Sequence, residues 1–120
     1  MTTELSAIGW LRSDISGERQ GWDEARIRGL AHRLGYDLRK TVVFGPRTDR
    51  PLHRLRVLVS RLDLDAVIVP SIEHFEGGEV PVELVEVADI ITVQPRNTYA
   101  RYATVRSGSE IDRVIHLTRP

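Results

Sequence analysis

Three short polar segments hold the residues that could do chemistry. The first, Arg12-Ser13-Asp14-Ile15-Ser16-Gly17, offers a guanidinium, two hydroxyls and a carboxylate ahead of an amphipathic stretch. A helix start there would attract anions through its free N–H groups and dipole. Its single glycine, Gly17, excludes a dinucleotide or P-loop fingerprint. The local alternative is that Asp14 or Ser16 caps the helix. The second segment, Gly45 to Arg50, carries Arg47 and Arg50. These could clamp a phosphate between them or stand solvated at the surface. The third offers Ser71, Glu73, His74 and Glu76, two carboxylates and an imidazole able to move protons or weakly hold a divalent ion. Their spacing matches no metal motif, so neither a metal nor a cofactor is expected. His32, His53 and His116 are scattered and read as surface residues, whereas Trp10 and Trp22 read as packed against a sheet.

The elements that would position these groups alternate. Ala7–Leu11 is a short apolar strand. A helix is predicted over 18–34, because Ile27, Leu30, Ala31 and Leu34 repeat at helical spacing and Gly35 suits its C-terminal cap. Thr41–Phe44 is a β-branched strand. Asp49 could cap the next helix and Pro51 suits its first turn, with Leu52, Leu55, Val59 and Leu62 as the buried stripe. Asp65–Val69 is almost wholly apolar, as in a parallel strand covered on both faces. Pro70 cannot donate to a ladder, so pairing should fail there. Glu76–Glu79 reads as a flexible loop, Pro81–Val87 as a short helix and Ile90–Val93 as a fourth strand. Beyond Pro95, Tyr99–Arg106 could be a strand. Ser109 could cap a last turn holding Ile111, Val114 and Ile115, although 114–117 also reads as strand. The fold class expected is α/β, with three αβα layers around a small, mostly parallel sheet of four or five strands. Residues 1–95 would form the domain and 96–120 a C-terminal extension packed on it or leaving it. In such sheets the site lies at the carboxyl ends of the strands, where all three polar segments converge.

Length and composition fit one ordinary globular unit: 120 residues, 41% apolar and 28% charged. The absence of cysteine excludes disulfides, thiolate metal sites and a cysteine nucleophile. No leader-like start and no apolar run near about 18 residues is present, so cytoplasm is the expected location and no membrane contact is expected. Net charge is zero, yet the charges are segregated. Residues 19–61 hold eleven basic groups against four acids, +7, while 62–95 hold eight acids and no Lys or Arg, −8. Residues 1–18 carry −2 and 96–120 carry +3. The two blocks could pair within the fold, or present a basic face to an acidic partner.

Taken together, the segments resemble the catalytic domain of the serine recombinases, the resolvase/invertase family. Trp10-Leu11-Arg12-Ser13-Asp14 is similar to that family's opening aromatic-x-Arg-Val-Ser. Thr48-Asp49-Arg50 is similar to the Asp-Arg ahead of its second helix, and Asp65–Val69 to the strand that leads into Leu-Asp-Arg-Leu-x-Arg. The match covers about residues 7–95. In the family a serine attacks a DNA phosphodiester while arginines hold the phosphate. The resemblance places two of those arginines at Arg12 and Arg50 and the nucleophile at Asp14. Ser13 is out of register by one residue, which turns a strand side chain to the opposite face. The third motif's Asp-Arg becomes Glu73-His74, and its last arginine Gly77.

These departures disable the chemistry. Phosphoryl transfer depends on positive charge around the phosphoryl oxygens. One carboxylate about 4 Å from such an oxygen costs on the order of 4 kcal/mol at an effective dielectric near 20, about a thousandfold in rate. The expectation is therefore a catalytically inactive resolvase-like domain, not an enzyme, that acts as a binding or regulatory protein. Its partner would be another protein or a second copy of itself. Two alternatives stay open: a small-anion or nucleotide-binding protein or enzyme built on Arg12, Arg47 and Arg50, and a non-catalytic module that binds DNA weakly. The positions Arg12, Asp14, Arg50, Glu73 and His74 would be the vestige of the recombinase site.

Overall fold

The computed structural model describes residues 4–101. The Ser109 cap, the turn with Ile111, Val114 and Ile115, and His116 lie outside the described residues. Strand β1 (Leu5–Arg12) runs into a single helical turn, α1 (Ser13–Ser16), a 3-10 turn (Gly17–Arg19) and helix α2 (Gln20–Leu34). Then come β2 (Tyr36–Phe44), α3 (Pro51–Leu62), β3 (Ala66–Val69), α4 (Val82–Val85), β4 (Asp89–Thr92) and β5 (Asn97–Tyr99). The five strands form one sheet in the order β2-β1-β3-β4-β5, parallel except for β5, which runs antiparallel to β4. The chain is thus α/β with a mostly parallel sheet. Among the described residues no helix is long and apolar enough to cross a membrane.

Period-two alternation in β1 sorts the core into two halves. Ala7 and Leu11 join Ile27, Leu30 and Ala31 of α2 on one face. Ile8 and Trp10 join Leu55 and Val59 of α3 and Leu84 and Val85 of α4 on the other. All four residues of β3 are buried, because helices cover both of its faces. The ladder stops at Val69, although the Pro70 carbonyl still accepts from Gln94 N–H at 3.0 Å.

Several local expectations change. The long first helix starts late, at Gln20, because Gly17 takes a positive φ of 58° and breaks the path from α1. Neither Asp14 nor Ser16 caps it: both oxygens are held by other side chains, as shown below. Asp49 does not cap α3 either. Its N-terminal boundary is Arg50, in the left-handed region at φ 45°, an uncommon conformation for a residue other than glycine. Residues 72–78 are two 3-10 turns (Ile72–His74 and Glu76–Gly78) rather than open loop. The strand β5 is tied to β4 through Ile90, Ile91 and Thr92 and ends at Tyr99; of the strand expected over 99–106, residues 102–106 lie outside the described residues.

Strand β2 is the outer strand on one side and exposes Arg39, Lys40 and Val43. It pairs with β1 across an irregularity: Ala7 faces Leu38 but Gly9 faces Thr41, so β2 holds one extra residue. Gly9 sits at this kink, under α2. A Cβ there would stand 2.7 Å from Ile27 Cγ2 and 3.0 Å from Thr41 Oγ1. Gly9→Ala is therefore expected to destabilise the fold by about 1–3 kcal/mol, read from the midpoint of urea unfolding.

Candidate functional site

The parallel strands β1, β2 and β3 end at Arg12, Phe44 and Val69 on one rim, so the segments that follow them meet there. Two contacts fix the meeting. The Arg12 backbone N–H donates to His74 Nδ1 at 3.0 Å, across 62 residues of chain. Gly45 faces Ser13, for a Cβ on Gly45 would lie 3.9 Å from Ser13 Oγ.

At the centre Arg12 forks onto Asp14. Its Nε donates to Oδ1 at 3.2 Å and its Nη2 to Oδ2 at 2.6 Å. This is the bidentate geometry that makes guanidinium–carboxylate pairs strong. The hydrogen bonds from Arg12 hold the Asp14 carboxyl below its ordinary range. The two residues are close in sequence and turn together where β1 enters α1.

His74 is buried and accepts at Nδ1, so its proton sits on Nε2. Burial pushes its pKa below the ordinary value of 6.5; the neighbouring Arg12 lowers it further, while Asp23, Glu73 and Asp14 pull the other way. Ser16 turns inward and donates to Asp23 Oδ2 at 2.7 Å. Asp23, on α2, is itself buried and lies 3.9 Å from the Arg19 guanidinium.

The remaining candidates stand apart. Arg50 pairs with Asp49 at 3.7 Å, and its side chain is 72% exposed. Arg47 is exposed and borders a separate shallow depression with Pro46, Thr48 and Arg54. Neither lines a groove with Arg12. Glu73 is exposed on the α2 side of His74, where its backbone N–H donates to Ser71 Oγ. Among the described residues no three His, Asp or Glu side chains gather in a way that could hold a metal ion.

His74 thus divides two grooves. One, of about 470 Å³, lies towards α2 and is bordered by Ile15, Trp22 and Arg26. The other, of about 710 Å³, lies towards α3 and α4. Its floor is Trp10, stacked on Phe75 at 5.2 Å and met edge-on by Phe44 at 5.8 Å. Residues after β2 form one wall, and Glu76, Glu79 and Glu83 stand on the other. The buried indole N–H of Trp10 has no partner among the described residues.

Trp22 overturns its expectation. It is 51% exposed, with the guanidiniums of Arg19 and Arg26 at 4.9 Å and 4.6 Å from its ring. The spacing Arg19-x-x-Trp22-x-x-x-Arg26, one turn to either side, was the signal available for it. The Ser16–Asp23 pair had none, since nothing in a polar i, i+7 pair announces burial.

Known protein families, curated proteins and solved structures contain no match to this chain.

A buried imidazole held neutral stabilises the fold only while it stays neutral. That contribution is present above pH 6.5, the ordinary value, and is lost as pH falls through the lower folded-state pKa. Histidine NMR titration should give His74 a midpoint below 6.5, and His74→Asn should flatten the fall in melting temperature between about pH 7 and pH 5. Ser16→Ala, which removes the hydrogen-bond donor from a buried carboxylate, should cost about 1–3 kcal/mol in urea unfolding.

Proposed function

We propose that this protein is a resolvase-like domain without strand-cleaving chemistry, and that it acts as a binding or regulatory protein. The observation that carries the reading is the Arg12–Asp14 fork. Where the resemblance puts the nucleophile there is a carboxylate, and it occupies the guanidinium that would grip the phosphate. Arg50, the second arginine of the resemblance, is turned to solvent and paired with Asp49. The arginine positions of the third motif hold His74 and Gly77, and the rim there carries the carboxylates Glu73 and Glu76. Gly77 adopts φ 74°, a left-handed conformation costly for an arginine side chain at that position. Ser16 Oγ is engaged with Asp23, so it is not presented as an alternative nucleophile. What the rim does offer is recessed surface: two grooves of a size suited to side chains or small organic groups.

Incubation with supercoiled plasmid should yield neither nicked DNA nor a covalent protein–DNA product. Asp14→Ser should be equally inert, because the arginines of the third motif are also replaced. A covalent adduct with the unaltered protein overturns the reading. A melting temperature that rises with phosphate or nucleotide would replace it with the small-anion alternative.

A further inference from the structure

We infer that the protein associates with second copies of itself head to tail, Trp22 and its two arginines on one copy entering the Glu-walled aromatic groove of the next. This rests on reading the protein as one that acts by binding, and it names the partner.

The two surfaces are complementary and independently unusual. The first, on the border of the smaller groove, combines Trp22 with Ile15, 40% exposed, and with the guanidiniums of Arg19 and Arg26. Exposed tryptophan beside arginine is the composition that dominates binding energy at protein interfaces. Arg26 makes no ion pair among the described residues; besides the Trp22 ring it meets Gln94 Oε1, at 3.4 Å. The receiving surface is the groove of about 710 Å³ floored by Trp10, Phe44 and Phe75. Its carboxylates Glu76, Glu79 and Glu83 make no ion pair among the described residues.

Charge and topology select a second copy as the occupant. Arg19, Trp22 and Arg26 belong to the block of net charge +7 and the groove's acids to the block of −8. Helix α2 covers the Ala7 and Leu11 face of the sheet, whereas the groove opens on the Trp10 face. One chain therefore cannot seat its own Trp22 in its own groove. The contact joins two different surfaces, so it propagates until a ring closes or the chain of copies ends.

Sedimentation of the full chain tests this. At about 50 mM salt the mean mass should grow with concentration over roughly 10–200 µM, as for a small transient interface, and about 500 mM salt should reverse it. Two variants break opposite sides: Trp22→Ala with Arg26→Ala, and Glu79→Arg with Glu83→Arg. Trp22, Glu79 and Glu83 are exposed and Arg26 is partly so, and unchanged melting curves verify folding. Each variant alone should associate at least about tenfold more weakly. Mixed one to one, they should form a heterodimer and nothing larger, because only one intact pair of surfaces remains. A monomer throughout, association indifferent to these substitutions, or a mixture that does not pair overturns the inference. None of those results touches the proposed function, which falls to a covalent DNA product or to stabilisation by phosphate or nucleotide.

Discussion

One hydrogen bond organises the rim: the Arg12 N–H donates to a buried imidazole that arrives 62 residues later. It requires His74 to be neutral at Nδ1, and burial supplies that condition by disfavouring the charged ring. It also fixes the end of β1, and so the point from which the Arg12 side chain departs. From there the guanidinium meets Asp14, and the positive charge at the centre of the rim is cancelled locally. The two grooves exist because the same imidazole stands between them as a partition.

The segregation of charge in the sequence acquires a geometry in the fold. Strand order places β2, with Arg39 and Lys40, at one margin, and β3 and β4 with their acidic connections towards the other. The blocks are therefore not mixed by folding. Few described ion pairs span distance in the chain: those of Arg12, Arg19, Arg39 and Arg50 all join residues within four positions. Among the described residues the basic and acidic blocks make no ion pair with each other, which leaves them available between molecules.

Much of the fold was legible because it follows periodicity. The alternation of apolar runs with amphipathic stretches led to the parallel sheet, and the stripe Leu52, Leu55, Val59 and Leu62 to α3. Gly35 ends α2 at φ 81°, as its position suggested. What escaped was decided by tertiary competition for polar atoms. Asp14 and Ser16 have the chemistry of caps, but Arg12 and Asp23 claim them first. Trp22 looked like core because it is apolar; α2 turns it outwards, where two guanidiniums cover it. The candidate site was legible in its location, since strand ends on one side of a parallel sheet must converge. Its membership was not, because Arg47 and Arg50 ride on a connection whose path depends on the left-handed turn at Arg50.

Strand β2 is nine residues long and forms a margin of the sheet. A margin that long carries a row of amide groups able to recruit foreign strands. Arg39 and Lys40 and the extra residue opposite Ile8 work against this, by repulsion and by bending the strand out of flatness. The same kink that forces a glycine at position 9 thus guards the molecule against amyloid-like stacking.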